Sequence, residues 1–236
     1  MLYHLLTPLA ETHIFFNLFN YLTFRTGLAI MTALIICFII APPMIRWLKA
    51  KQKEGQPIRE DGPETHFSKA GTPTMGGLMI LISVTISTLL WSDLSNVYIW
   101  YSLMVMVGYG SIGFADDYLK LTKRNTKGLP GKMKILAQLL IGGIAAYGIM
   151  QTLPTHMNQH VAIPILKDTF IFIGIFFVPW ALFVMIGASN AVNLTDGLDG
   201  LATVPVMLVA LSFTLICYVV GNTVFSEYLQ IPYIAD

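Results

Sequence analysis

Two adjacent carboxylates and a lysine end the long apolar stretch from Val97 to Ala115. Asp116 and Asp117 follow that stretch directly, and Lys120 comes three residues after Asp117, in the sequence GFADDYLK. In a helix these acids would lie at the C-terminal end, where the helix dipole disfavours anions by about 0.3–1 kcal/mol each. Either Lys120 or a divalent metal ion should offset them, and carboxylate oxygens suit Mg²⁺. The alternative is a pair of solvated acids that only marks a membrane edge.

A second group of polar side chains occupies the segment AVNLTDGLDGLA and the residue before it. Because its members are three residues apart, they share one face of a helical turn. Gly197 and Gly200 remove bulk beside the two acids, as they would if a ligand came close. The alternative is that Thr195 or Asp196 simply caps the following helix. The members of this group are Asn190, Asn193, Asp196 and Asp199.

A third motif, HFSKAGTPTMGG, runs from His66 to Gly77 and leads into an apolar stretch. Thr72 followed by Pro73 fits an N-cap and the first position of a helix. A glycine-flanked helix start with a lysine nearby also suits phosphate oxygens, and Lys69 is the residue that a cap does not explain. The motif therefore predicts a helix start that can also contact a phosphorylated substrate.

Two histidines at i and i+4, His156 and His160, have a spacing that a metal ion could use. They lie in a stretch predicted to be an outer loop, and no third ligand is evident nearby. We interpret them as exposed loop histidines.

The composition is that of a membrane protein: 55% of residues are hydrophobic, 11% are charged, and the mean hydropathy is +0.67. The net charge of +1 argues against a nucleic-acid partner, which would require a clustered basic excess. A bilayer core requires about 20 apolar residues per helix. We predict an all-α transmembrane bundle of about six spans, in one integral membrane domain over residues 1–236, at 27–48, 74–91, 97–115, 135–153, 169–189 and 201–220.

The lysines and arginines predict the orientation of the bundle. They concentrate between the first and second spans and between the third and fourth, whereas Arg25 and Lys167 fall elsewhere. Because basic loops are retained on the cytoplasmic side, the N-terminus is expected outside and segment 190–200 in the cytoplasm. The three motifs then meet at one membrane face, which suits a soluble anionic substrate and a lipid-borne one. A transporter would more typically place ionisable groups near the bilayer midplane.

The same three motifs carry a family resemblance. The stretch from Arg59 to Gly77, followed by GFADDYLK and NAVNLTDGLDGLA, resembles bacterial phospho-N-acetylmuramoyl-pentapeptide-transferase, of the polyprenyl-phosphate N-acetylhexosamine-1-phosphate transferases. The resemblance implies a Mg²⁺-dependent enzyme of the bacterial inner membrane with its active site on the cytoplasmic face. Its implied partners are UDP-N-acetylmuramoyl-pentapeptide, undecaprenyl phosphate and membrane lipid, and its implied products are lipid I and UMP, in peptidoglycan synthesis. A homodimer is a further candidate assembly.

The resemblance also implies roles for individual residues. Asp116 would deprotonate the lipid phosphate, and Asp117 would organise the site and contact the metal; a covalent aspartyl intermediate stays open as an alternative. Phosphoryl transfer asks mainly for alignment and charge neutralisation, which such groups can supply. The implied substrate-binding residues are Lys69, Asn190, Asn193, Asp196, Asp199, Lys120, His66 and Thr72.

The resemblance covers about two thirds of the family's length. A further metal-binding aspartate and a histidine-rich loop of the family do not occur in these 236 residues, so we expect this chain to hold part of the site and to be a poor catalyst alone. Two rival functions are a sibling transferase that uses another UDP-sugar, and a non-catalytic membrane protein or transporter.

Overall fold

The computed structural model describes residues 1–52, 73–124, 128–155, 157–163, 169–195 and 200–234. These residues form α-helices, short 3₁₀ turns and one two-stranded sheet. The helices are α1 (Leu2–Leu6), α2 (Leu22–Lys51), α3 (Gly77–Trp91), α4 (Val97–Lys123), α5 (Gly131–Thr152), α6 (Phe177–Thr195), α7 (Thr203–Val220) and α8 (Thr223–Leu229); the strands are β1 (His160–Ala162) and β2 (Phe170–Phe172).

Five helices within the described residues are long and apolar enough to cross a membrane, which confirms the predicted all-α polytopic class. They are α2, α4, α5, α6 with the 3₁₀ turn before it, and α7. The remaining predicted span, 74–91, is shorter than expected: α3 has 15 residues. At a rise of 1.5 Å per residue it is about 22 Å long, less than the hydrocarbon thickness of about 30 Å.

The predicted start of α3 is wrong. Pro73 is not helical, and the helix begins four residues later, at Gly77. The backbone of Thr74 pairs with the side chain of Gln52, and Met75 has φ 72°, in the left-handed region. These two features keep residues 74 and 75 out of the helix. Thr72, the predicted N-cap, lies outside the described residues.

Polar side chains join α2 to α3 within apolar surroundings. The Ser87 hydroxyl donates a hydrogen bond to the Ala29 carbonyl, and the Trp91 indole N–H donates to Thr32 Oγ1 at 2.9 Å. Hydrogen bonds of this kind help membrane helices associate, because lipid offers no hydrophobic driving force between them. The pairing fixes α3 against the helix that ends at Lys51.

Small and polar residues of α4 contact its two neighbours. A Cβ added at Gly110 would lie 2.9 Å from Leu81 Cδ2 of α3, so the glycine permits this close packing. On α5, the Gln138 carbonyl accepts a hydrogen bond from the Tyr109 hydroxyl at 3.0 Å. The C-terminal end of α4 therefore emerges between the start of α3 and the start of α5.

An aromatic cluster attaches the N-terminal segment to α2 and α3. Phe19, in the 3₁₀ turn Ile14–Asn20, is buried, and its ring stacks on Trp91 with centroids 6.1 Å apart. Phe24 of α2 contacts the same ring edge-on at 5.5 Å. By contrast, Phe15 is 53% exposed. The Phe19 ring therefore anchors the 3₁₀ turn, while the start of the segment is held separately: the Met1 ammonium group donates to the Leu89 carbonyl at 2.7 Å, and His4 Nε2 accepts from the Leu94 N–H at 3.1 Å.

The second half of the chain, Gly142–Asp236, forms a compact unit separate from Met1–Ile141. In it, β1 pairs antiparallel with β2, with His160 opposite Phe172. The expectation of an exposed loop histidine is wrong for His160, because this residue belongs to a strand, is partly buried, and lies 5.2 Å from the Phe172 ring. His156 lies outside the described residues.

We predict that Phe19→Ala loosens the 3₁₀ turn Ile14–Asn20 from α2 and α3. Loss of a buried aromatic side chain costs about 3–5 kcal/mol in a well-packed site. Limited proteolysis of the detergent-solubilised protein should therefore cleave within residues 1–20 much faster than in the wild type. Ile14→Ala, at an 83% exposed side chain of the same turn, is the matched control and should change little. Equal cleavage rates in the two variants would contradict the anchoring role of Phe19.

Candidate functional site

Lys120 joins the two adjacent carboxylates at the C-terminal end of α4. Its Nζ lies 2.6 Å from Asp116 Oδ2 and 3.3 Å from Asp117 Oδ1. The side chains of Asp116, Asp117 and Lys120 are 19%, 31% and 20% exposed, so water screens them only partly. The sequence predicted that either Lys120 or a metal ion would offset the two acids. The helix itself places Lys120 between them, because Lys120 follows Asp116 by four residues and Asp117 by three.

The turn before α5 contacts Asp116 from a second side. The backbone N–H of Leu129 donates a hydrogen bond to Asp116 Oδ1 at 2.7 Å. Gly128 precedes it with φ +58°, and a Cβ at this position would lie 2.8 Å from Lys120 Cε and closer still to Asp116 Oδ1. Because both oxygens of Asp116 have a donor, the orientation of this carboxylate is defined.

The segment before α3 contacts Asp117. Thr74 Oγ1 donates a hydrogen bond to Asp117 Oδ2 at 2.9 Å, while the other oxygen of this carboxylate lies near Lys120. Thr74 in turn is held by Gln52, which follows α2 directly. The segment before α3 and the turn before α5 thus both contact the acid pair of α4 within the unit Met1–Ile141.

Of the other predicted site residues, two lie within the described part of the chain. Asn190 and Asn193 both lie on α6 in the second unit; Asn190 donates to the Ile186 carbonyl at 2.9 Å, and Asn193 is exposed. The suggestion that Thr195 caps the next helix is wrong, because Thr195 ends α6 and α7 begins at Thr203 after Ala202. The remaining predictions lie outside the described residues: Lys69, His66, Thr72, Asp196 and Asp199.

Sequence reasoning did not single out Thr74, Gln52, Gly128 or Leu129. Thr74 lies in the GTPTMGG motif, but the helix-cap pattern in that motif points to Thr72. Gln52 and Leu129 carried none, because a long-range hydrogen bond through an amide or a backbone N–H leaves no local pattern.

The donor set suits a hard divalent cation. Asp116 and Asp117 offer oxygen atoms only, and Mg²⁺ is typically held by one or two protein carboxylates together with substrate phosphates and water. Within the described ranges no group of three or more His, Cys, Asp or Glu could hold a metal ion without such help. Any metal at this pair would therefore need ligands from a substrate or from other residues.

Comparison with known proteins identifies relatives. Residues 99–233 match the family described as glycosyl transferase family 4, and residues 69–81 match the phospho-N-acetylmuramoyl-pentapeptide-transferase signature 1. A protein of Granulibacter bethesdensis named phospho-N-acetylmuramoyl-pentapeptide-transferase is 58% identical over all 236 residues. The chain spans 65% of that relative's length.

We predict that Gly128→Ala destabilises this site. A left-handed backbone costs a residue with a Cβ about 1–2 kcal/mol, and the added atom would also collide with Asp116 and Lys120. Thermal unfolding in detergent should shift to a lower temperature. Gly113→Ala on α4 is the control: its added Cβ meets nothing within 4 Å, so stability should be unchanged or slightly higher. An unchanged Gly128→Ala protein would argue against this turn geometry.

Proposed function

This chain belongs to glycosyl transferase family 4, and from that premise we propose that it carries the acid-pair portion of an enzyme that makes lipid I. The proposed reaction transfers phospho-N-acetylmuramoyl-pentapeptide from UDP-N-acetylmuramoyl-pentapeptide to undecaprenyl phosphate and releases UMP. One observation carries this proposal: the Asp116–Asp117–Lys120 cluster lies within the family match, in a chain 58% identical throughout to a relative of that name.

The bonding changes define what the site must do. An oxygen of undecaprenyl phosphate attacks the phosphorus that carries the sugar, and the bond from that phosphorus to the bridging oxygen of the diphosphate breaks. UMP leaves with the bridging oxygen, and a new diphosphate forms on the lipid. Both reactants are anions, so charge neutralisation and alignment supply most of the catalysis.

The residues at the end of α4 have distinct proposed roles. Asp116 accepts the proton of the lipid phosphate, and Lys120 limits the repulsion between the acids and the incoming phosphates. Thr74 and Lys120 orient Asp117, whose oxygens would hold Mg²⁺ together with phosphate oxygens of the substrates. The metal ion, when bound, would neutralise negative charge on the diphosphate.

Further groups complete the proposed substrate site. We assign Lys69, His66 and Thr72 to phosphate contacts. Asn190, Asn193, Asp196 and Asp199 are assigned to the nucleotide portion. These assignments rest on the motifs in which the residues occur. The proposed location is the bacterial inner membrane, with this end of α4 in the cytoplasm.

The test is formation of lipid I from the two substrates in the presence of Mg²⁺. The chain should be assayed in lipid nanodiscs both alone and extended with the C-terminal third of the Granulibacter relative. We expect Mg²⁺-dependent product and UMP from the extended protein, and much less from the 236-residue chain. UDP-N-acetylglucosamine in place of the muramoyl substrate tests the sibling transferase function.

Asn substitutions at Asp116 and Asp117 test whether these two residues are required for turnover in the lipid I assay. Asp116→Asn or Asp117→Asn should lower turnover by about 100-fold or more, the loss typical of a proton-transfer group or a charge-stabilising group. The control is Asp93→Asn, since Asp93 lies beyond the other end of α4 and bonds Ser95. Normal turnover by Asp117→Asn would remove the central role given to the pair, and no product from any form would reject the function.

The proposed orientation predicts opposite accessibility for the two ends of this unit. Glu11 and Lys123 are both exposed, and each can be changed to Cys after the native Cys37 and Cys217 are replaced by Ala. A membrane-impermeant thiol reagent added to intact cells should label Glu11→Cys. It should label Lys123→Cys only after the membrane is opened. Labelling of Lys123→Cys from outside would reverse the orientation.

A further inference from the structure

Gln52 makes an unusual pair of hydrogen bonds with Thr74, 22 residues away in the sequence. Its Oε1 accepts from the Thr74 backbone N–H at 2.9 Å, and its Nε2 donates to the Thr74 carbonyl at 3.3 Å. The Gln52 residue is only 9% exposed. A side-chain amide has the same donor and acceptor as a peptide group, so Gln52 pairs with Thr74 as a neighbouring strand would.

The pairing with Gln52 fixes the Thr74 backbone in a conformation that brings its side chain to Asp117. With both of its backbone groups bonded to Gln52, Thr74 stays outside α3, and the left-handed Met75 makes the turn into the helix. In this conformation the Thr74 hydroxyl reaches Asp117 Oδ2 at 2.9 Å. The chain of contacts therefore runs from the end of α2, through Thr74, to a carboxylate on α4.

Asp117 has two different neighbours as a result. One oxygen accepts the Thr74 hydroxyl, and the other faces Lys120 at 3.3 Å. An aspartate carboxylate can turn about its Cβ–Cγ bond, and two neighbours on opposite oxygens oppose that rotation. Loss of the Thr74 contact would leave Asp117 with Lys120 alone, which also pairs with Asp116 at the shorter distance of 2.6 Å.

We propose that Gln52 is a positioning residue for Asp117, acting through Thr74. It touches no reacting atom; it holds the backbone that aims the Thr74 hydroxyl and so sets the plane of the Asp117 carboxylate. The inference rests on the proposed function, because that function assigns Asp117 to the reaction. The competing interpretation is that Gln52 only stabilises the connection between α2 and α3.

The test compares variants of the extended enzyme in the lipid I assay. Gln52→Leu keeps the size of the side chain and removes both hydrogen bonds. It should lower kcat about tenfold, the equivalent of one lost hydrogen bond, while KM for each substrate changes less than about twofold. Gln52→Glu can still accept from the Thr74 N–H, so its kcat should lie between wild type and Gln52→Leu. Gln151→Leu, at an exposed glutamine on α5, is the matched control.

A double-mutant cycle separates positioning from general stabilisation. Thr74→Val removes the hydroxyl and should itself lower kcat about tenfold. If Gln52 acts through that hydroxyl, adding Gln52→Leu to Thr74→Val should lower kcat by less than a further factor of about two. Full multiplication of the two effects, or an unaffected Gln52→Leu enzyme, would overturn the inference.

Amide hydrogen exchange tests the role of Gln52 without measuring enzyme activity, so this inference and the proposed function can fail separately. Amide hydrogen exchange of the peptide containing Thr74 should accelerate in Gln52→Leu, while exchange within α3 stays unchanged. An inactive wild-type enzyme with this exchange pattern would reject the function but not the backbone clamp. An active enzyme with unchanged exchange at Thr74 and unchanged kcat in Gln52→Leu would reject the clamp but not the function.

Discussion

Two adjacent carboxylates at the C-terminal end of a helix repel each other and face the negative end of the helix dipole, so a cation between them is the central stabilising contact of this site. Here the helix places that cation itself, because Lys120 follows the acids by four and three residues and its ammonium group contacts both. Two unit charges 4 Å apart at an effective dielectric constant of about 20 attract each other by about 4 kcal/mol before the cost of desolvation, so charge pairing of this kind is a large local effect. The arrangement is compact and only partly hydrated, and a further charged ligand must fit around it.

The surrounding segments give the two acids unlike environments. Asp116 accepts a backbone N–H from the turn before α5, whereas Asp117 accepts a hydroxyl from the segment before α3. This difference is consistent with the unlike roles proposed for the two acids, a proton acceptor and a metal-binding group. Both segments depend on irregular backbone, at Gly128 and Met75, which the helices on either side hold in place.

Much of the framework could be predicted from hydropathy, because a helix that is apolar on all faces has few stable environments other than a bilayer. The short length of α3 could not be predicted from hydropathy. Its apolar residues continue back to Met75, but Gln52, just after the end of α2, bonds the backbone of Thr74, and a local rule for helix caps does not include such a partner. The β1–β2 pair could not be predicted for a different reason: each strand has only three residues, too few for an alternating pattern.

The sequence by itself determined the membrane class, the position of most helices, the acid pair with its lysine, and the family, because these depend on composition and on residues close together in the chain. The tertiary structure alone decided which distant groups meet the acids. Thr74, Gln52 and Leu129 reach the site through hydrogen bonds over 13 to 43 residues of separation. Such bonds form only when the helices are packed together. Helix packing depends on side chains from many parts of the chain, so a short sequence motif cannot predict it.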